Sequence, residues 1–325
     1  MYHFVIYLIL TIPVCFAGPL KVVSYNVENL FHPAHDSVAG EPKEDLEWTP
    51  EGSRRWSYKR YYQKEENIAR VLTNIGEWEG VDVVGLQEVE NAAVVKRLCY
   101  TLRRNTYDFV HYESPDKRGI DVALIYKKAR IDTLSSKAFP VKLSQTTSNP
   151  QTTRDILYVN ALIDKRDTVH FFVCHMPSQR GGKAESEWKR EAARGVLERA
   201  VDSVFGVNPQ AKIIVMGDMN SETLKINGLV DKLVKSQELK ANSQLSIINS
   251  QLQGTHKYQG EWSFLDHFLV SETLDSVSRA WVYDAEWIME KDEKYMGLKP
   301  KRTYNGFRYQ NGYSDHLPIV LMIDN

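Results

Sequence analysis

The chain has almost no charge imbalance, few cysteines and no long apolar run past its first residues, and each shortage excludes something. Lys and Arg (41) nearly cancel Asp and Glu (42), leaving a formal net charge of −1. A protein without a general basic field is not pulled as a whole onto nucleic acid or anionic lipid, so any contact with a polyanion must be local. Cysteine occurs only three times in 325 residues. Cys15 falls in the N-terminal apolar stretch, which leaves Cys99 and Cys174, too few for a disulfide framework. They are expected as two separate buried thiols, with a single bridge in an oxidising compartment as the alternative. No stretch is dense enough in Pro, Gly or Ser to divide the chain, and no repeat is visible, so residues 18–325 are expected to form one domain. A Walker-type loop and the histidine spacing of a structural zinc site are also missing.

The apolar run that does exist lies at the start. Phe4 to Phe16 is apolar apart from Thr11, and Val14-Cys15-Phe16-Ala17 resembles a small-residue cleavage site. Residues 1–17 read as an export signal, although Met1-Tyr2-His3 carries no Lys or Arg. The run is short for a membrane span, so the mature chain is expected to have none, and a periplasmic or extracellular location follows.

Strand-like apolar runs recur along the rest: Leu20–Val27, Val81–Val89, Ile156–Ile163, Val169–Met176, Lys212–Met216, Ser263–Val270, Arg279–Trp287 and Ile319–Ile323. Asp108–Glu113 and Ile120–Lys127 read as a strand pair. Helical periodicity marks Ser57–Ile75, Asn91–Arg104 and Lys183–Phe205, with Ser57 as a cap. His32–Arg55, Ser221–Tyr258 and Glu290–Gly312 read as long polar stretches. Strands outnumber helices and often look hairpin-joined, which points to mixed sheets packed together with helices outside.

Five strand ends carry chemistry. Ser24-Tyr25-Asn26-Val27-Glu28-Asn29 puts an amide and a carboxylate on one face. Leu86-Gln87-Glu88-Val89 ends an apolar strand on a carboxylate suited to Mg²⁺. Val173-Cys174-His175-Met176-Pro177-Ser178-Gln179-Arg180 offers an imidazole and a guanidinium for a phosphate oxygen. Met216-Gly217-Asp218-Met219-Asn220 places a carboxylate beside an amide, a pair that can polarise and orient water. Finally, Asp266, flanked by apolar residues, needs a partner, and the imidazole of His316 in Ser314-Asp315-His316-Leu317-Pro318 is the obvious one. Any one of these stretches alone is more simply read as a solvated strand end, a cap or a turn.

Taken in order, the five stretches resemble the endonuclease/exonuclease/phosphatase superfamily, whose fold is DNase-I-like, and Arg118-Gly119-Ile120-Asp121-Val122-Ala123 is similar to a substrate-side hairpin of many bacterial members. The resemblance implies a bacterial secreted member with a four-layer α/β sandwich, two mixed β-sheets face to face with helices outside. It implies Glu88 as the principal metal ligand, supported by Asn26, Glu28 and Asp315, with Mg²⁺ as the cofactor and Mn²⁺ or Ca²⁺ as alternatives. Many members carry Asp where Glu28 stands, and the extra methylene sets the metal back or leaves room for a water. It further implies that Asp218 orients or deprotonates the attacking water, that Asn220 and His175 hold the phosphate, and that His316, paired with Asp266, is a general base or stabilises developing charge. The choice of base between Asp218 and His316 is open.

The same resemblance leaves the substrate open among DNA, RNA, sphingomyelin, inositol phosphates and small phosphodiesters. Ser53–Tyr62 and Lys299–Tyr304 interleave bases with aromatics, a composition suited to a nucleic-acid strand, although the first also reads as the start of an amphipathic helix with its aromatics in the core. Arg118, Arg180, Ser178 and Tyr304 are the candidate substrate contacts. The expectation is an exported endonuclease acting on DNA or RNA, with no stable protein partner. A phosphatase or lipid phosphodiesterase on the same site is the alternative, and a non-catalytic binding protein is the alternative of another class.

Overall fold

β-branched and aromatic residues dominate the strand runs and are buried on both faces, so each sheet must be covered on both sides. The computed structural model describes residues 18–34, 44–143, 151–222, 224–232 and 254–324; the export signal expected over 1–17 lies outside them. In chain order the strands are β1 (Leu20–Leu30), β2 (Val83–Val89), β3 (Tyr107–His111), β4 (Asp121–Lys127), β5 (Ile131–Phe139), β6 (Lys142–Leu143), β7 (Gln151–Thr152), β8 (Ile156–Ile163), β9 (Asp167–His175), β10 (Lys212–Asp218), β11 (Leu229–Asp231), β12 (His256–Tyr258), β13 (Glu261–Ser263), β14 (Asp266–Ser271), β15 (Ser278–Val282), β16 (Met289–Lys291), β17 (Leu298–Pro300), β18 (Tyr304–Asn305), β19 (Arg308–Tyr309) and β20 (Ile319–Ile323). The long helices are α1 (Tyr58–Gly76), α2 (Ala92–Arg103) and α3 (Glu187–Val207).

Two six-stranded sheets, ordered β15-β20-β1-β2-β4-β3 and β11-β14-β10-β9-β8-β5, make the body of the protein. Each has a parallel pair at its centre, β1 with β2 and β9 with β10, flanked by antiparallel neighbours. Between the sheets lies a core that includes Val22, Val83 and Leu124 from one and Phe171, Met216 and Phe268 from the other. On the outer face of the first sheet, Val23, Tyr25 and Leu86 pack with Ile68, Leu72 and Leu98 of α1 and α2. On the outer face of the second, Phe172 and Val215 pack with Leu197 and Val201 of α3. The layers are therefore helix, sheet, sheet, helix, the four-layer sandwich expected. Close approach of the sheets needs glycine at 85, where a Cβ would come within 2.7 Å of Met216 Sδ. Cys99 and Cys174 are buried free thiols. Among the described residues, no helix is long and apolar enough to cross a membrane.

The helix caps follow the sequence: Ser57 accepts from Arg60 N–H at the start of α1, and Asn91 accepts from Ala93 and Val94 N–H at the start of α2. Elsewhere the structure corrects the expectation. α3 begins at Glu187, not at Lys183, because Gly181 and Gly182 take positive φ and Ser186 Oγ donates to Gly182 O, closing a turn first. The expected strand 263–270 is broken at Phe264-Leu265, and the expected strand 279–287 stops at Val282. β5 was not anticipated; its outer residues are exposed and mixed in character. The stretch 290–312, expected as a loop, is built from two ribbons, β16–β17 and β18–β19. Much of the stretch 221–258 lies outside the described residues.

One buried histidine serves the fold. His267 in β14 sets Nδ1 2.8 Å from Asp231 Oδ2 and Nε2 2.8 Å from Ser221 O, so both ring nitrogens face acceptors. Burial lowers its pKa, but the hydrogen bond and charge of Asp231 outweigh burial and raise it above 6.5. A folded-state pKa above the unfolded one gives stability that is complete below pH 6.5 and is lost as pH rises through the folded value. Denaturation midpoints are expected to fall across that alkaline window, and Asp231→Asn is expected to flatten the fall; identical pH profiles for the two proteins would refute the pairing.

Candidate active site

Because the central strands of each sheet are parallel and their outer neighbours antiparallel, one edge of the sandwich collects the ends of β1, β2, β9 and β10 together with the starts of β4, β14 and β20. The five chemical stretches fall on this edge. At the ends of β1 and β2 the register slips, between Asn26 and Leu30 and between Gln87 and Val89. Glu28, Asn29 and Glu88 there hold φ of 51°, 58° and 65°, conformations that non-glycine residues adopt at a cost, often at sites where a side chain must be aimed. Asn29 N–H donates to Glu88 Oε2 at 3.0 Å, locking the two bulges together.

Asp218 stands where the sheets meet. Its Oδ2 accepts from Asn26 Nδ2 of the opposite sheet at 3.1 Å and lies 3.6 Å from His175 Nε2 and 3.8 Å from His316 Nε2. Its Oδ1 accepts from Asn220 N–H at 2.9 Å. Asn220 itself holds φ of 48° and donates its amide to Met176 O. Gly217 before Asp218 has φ of 141°, and a Cβ there would fall 1.9 Å from Cys174 O, so β9 and β10 can close only with glycine at that position. Burial raises the Asp218 pKa to about 7.

Asp266 opens β14 opposite Asp218 and places Oδ2 2.8 Å from His316 Nδ1. His316 is held by its backbone too: its N–H donates to Ser314 Oγ, and Ser314 Oγ donates to Asn26 O. Burial opposes its charge, but Asp266 and Asp218 outweigh burial and hold its pKa well above the ordinary value. His175 goes the other way. Burial, helped by Arg154 and Arg118, keeps it well below, so it is a neutral imidazole 3.8 Å from Glu88 Oε1. An imidazolium fixed at Nδ1 and a carboxylate that titrates near neutrality, side by side, can hold and move a proton beside an anionic centre.

The four expected metal ligands have different surroundings. Glu88 Oε1 has distant donors, Arg118 at 3.4 Å and His175 at 3.8 Å, which suits an oxygen meant for a hard cation. Asp315 is half-buried; despite burial, Arg302 and His316 bring its pKa down to about 2, so it is ionised. Mg²⁺ takes one or two carboxylates and fills its shell with water and substrate, so Glu88 and Asp315 are each of the type it binds. Asn26 already uses its amide between Glu28 N–H and Asp218, leaving one lone pair on Oδ1. Glu28 does not fit as a direct ligand. Its Oε2 accepts from Thr303 N–H at 2.6 Å and its Oε1 from Arg302 Nε at 3.2 Å, and Arg302 also donates to Asp315 at 2.8 Å. The carboxylate holds the 301–303 segment instead of facing an ion. Beneath it, the buried Lys64 of α1 donates to Thr303 Oγ1 and Tyr313 O.

Among the expected substrate contacts, Arg118 reaches the site, donating to Asn29 Oδ1 at 2.9 Å beside Glu88. Ser178 and Arg180 follow β9, with Arg180 exposed. Tyr304 does not fit as a substrate contact: it is 2% exposed, packs against Trp48 and Trp56, and donates its hydroxyl to Arg54 O. Trp56 and Tyr61 are likewise buried and serve the core, whereas Tyr58 and Tyr62 of the same stretch are exposed. Two residues escaped the sequence reading. Lys64 had a signal, a lysine on the apolar face of α1 between Tyr61 and Ile68. His256 had none; its ring centre lies 4.7 Å from that of His316, tilted by 37°, and its backbone bridges to residue 316.

The sequence pattern of the Endonuclease/Exonuclease/phosphatase family matches residues 21–325. The chain belongs to this family. This places it in a superfamily of phosphoric ester hydrolases that depend on a divalent cation. Solved structures share the fold. Truncated TDP2 from Caenorhabditis elegans is 16% identical with a TM-score of 0.57, covering 94% of this chain and 98% of that one. A family member from Bacteroides thetaiotaomicron is 18% identical with a TM-score of 0.57, covering 94% and 98%. A mannosyl-6-phosphatase from the same species is 16% identical with a TM-score of 0.53, covering 94% and 99%. Identities this low speak to fold and not to substrate. No curated protein sequence matches the chain.

Proposed function

We propose that this family member is an exported, divalent-cation-dependent phosphodiesterase, with Mg²⁺ as the cation, acting on DNA or RNA. The observation that carries the reading is the Asp218–His316–Asp266 chain at the sheet seam with Glu88 close by, joined through His175. Glu88 and Asp315 would hold the cation, which neutralises a non-bridging phosphate oxygen and the departing oxygen when bound. Asp218, titrating near neutrality, takes the proton of the attacking water. The imidazolium of His316 directs Nε2–H at the phosphate, its charge secured by Asp266. Neutral His175 and the Asn220 amide line the same centre, and Arg118 supplies a cation beside Glu88. This assigns the base to Asp218, because the neighbour that raises the His316 pKa also removes its capacity to accept a proton at neutral pH.

For nucleic acid, the support is the β18–β19 ribbon tip, where Phe307 is 69% exposed with the Arg54 guanidinium 5.6 Å from its ring centre, a surface able to stack a base and meet a phosphate. Export rests on the N-terminal apolar run alone. A smaller phosphate ester is the second reading, favoured because Trp56, Tyr61 and Tyr304 are packed inside, which leaves Tyr58 and Tyr62 as the exposed aromatics of that stretch. Purified protein is expected to degrade plasmid DNA or RNA in Mg²⁺ and to stop in EDTA, with restoration by Mg²⁺ or Mn²⁺. Intact nucleic acid alongside turnover of a sugar phosphate, inositol phosphate or sphingomyelin would transfer the assignment to the second reading. Inertness toward the whole panel would remove both.

A further inference from the structure

A second group of ligand-type side chains sits on the same edge, at the β3–β4 hairpin. His111 ends β3, Glu113 follows it, and Asp121 opens β4 opposite Val89. Among the described residues, these three bring one ligand atom each within 4.8 Å of one another. The His111 side chain is 98% buried by its 2% exposure, yet its Nε2 has no hydrogen-bond partner and lies 3.4 Å from Asp121 Oδ2. Glu113 Oε1 lies 4.0 Å from Nδ1 of the same ring, on an exposed side chain. Asp121 is not free to turn. Its Oδ1 accepts both N–H and hydroxyl from Ser114, which leaves Oδ2 as the oxygen facing the imidazole.

Two further facts show that charge here is unbalanced. Among the described residues, no lysine or arginine pairs with Asp121, although its side chain is 4% exposed. Asp155 lies near enough to repel it and also keeps a buried, unbonded Oδ1. A buried carboxylate without a lysine or arginine and a buried imidazole nitrogen without a hydrogen-bond partner are each costly, and one ion resolves both. The 3.4 Å between Nε2 and Oδ2 is about the edge of a tetrahedron whose ligands stand about 2.1 Å from a central zinc ion.

We propose that His111, Asp121 and Glu113 form a second cation site, distinct from the one at Glu88, that takes a transition metal of the Zn²⁺ or Mn²⁺ class. An imidazole in the set selects such metals over Mg²⁺ and Ca²⁺, which favour oxygen alone. The site closes the turn between β3 and β4. That turn carries Asp116, bonded to Arg154 at 2.9 Å, and Arg118, bonded to Asn29. A bound ion would brace the hairpin that presents Arg118 to the catalytic edge.

The test is to soak crystals of the full chain in ZnCl₂ and collect data at the zinc edge. An anomalous peak about 2.1 Å from His111 Nε2 and from an Asp121 oxygen is expected. In solution, EDTA-treated Glu88→Gln protein is expected to bind Zn²⁺, and adding Asp121→Asn should weaken that binding by at least the roughly tenfold that loss of even an outer partner costs. Saturating Zn²⁺ with no peak at His111 and an ordinary His111–Asp121 hydrogen bond in its place would overturn the site. So would unchanged Zn²⁺ affinity in the Asp121→Asn protein. Neither readout depends on catalysis: a protein that binds zinc here but hydrolyses no phosphate ester would sink the proposed function and leave this site standing.

Discussion

His316→Ala is expected to slow phosphate-ester hydrolysis by about a hundred- to thousand-fold, the usual contribution of one positioned donor that stabilises transition-state charge, while circular dichroism stays near that of the wild type. The side chain is buried at a loop-to-strand junction, and its backbone hydrogen bonds run through Ser314 and not through the ring. Loss of the ring therefore removes the chemistry and spares the framework. Asp266→Asn should reproduce much of the loss. Asp266 fixes Nδ1 at 2.8 Å and is the larger of the two charges holding His316 protonated, so an amide would lower that proton affinity and let the ring turn. The two losses should not add in the double variant, because both act through one imidazole. Rates within a few-fold of wild type for His316→Ala, on whatever ester proves to be the substrate, would take this chain of residues out of the mechanism. Additive losses would mean that Asp266 acts elsewhere.

The catalytic edge could be read from the sequence because its strands are buried on both faces. Val83–Leu86 and Ile213–Gly217 are runs without a polar side chain, and a carboxylate just after such a run has to be explained. Asp266 was legible for the same reason: apolar neighbours on both sides demanded a partner, and His316 supplied it. The role of Glu28 was not legible. Its partners, Arg302 and Thr303, are more than 270 positions away and lie between two short ribbons, in a polar segment that carries no periodicity. Tyr304 misled for a related reason. A tyrosine among lysines and arginines looks like a stacking surface until Trp48 and Trp56, brought from another part of the chain, cover it. His256 follows a polar stretch with no pattern, and only the bridge to residue 316 gives it a place.

Lys64→Met is expected to destabilise the fold by about 3–5 kcal/mol, the range found when one member of a buried ionic group is removed. Methionine keeps the length and most of the apolar stem, so the change isolates the ammonium. Lys64 is 1% exposed on the inner face of α1, and its pKa is lowered to about 8 by burial even though Glu28 and Asp315 pull the other way. Its three protons serve Thr303 and Tyr313, the two points that pin the 301–303 segment and the approach to Asp315. Without it, Glu28 and Asp315 share Arg302 as their close cation, and the Arg302 side chain is 40% exposed, where water weakens its hold. Urea denaturation of Lys64→Met should show the loss, and Glu28→Gln in the same background should recover part of it by removing the carboxylate left uncompensated. A loss under about 1 kcal/mol, the scale of an exposed pair, would mean that Arg302 and solvent suffice. Glu28 would then be free to turn toward a cation, and its exclusion as a ligand would have to be withdrawn.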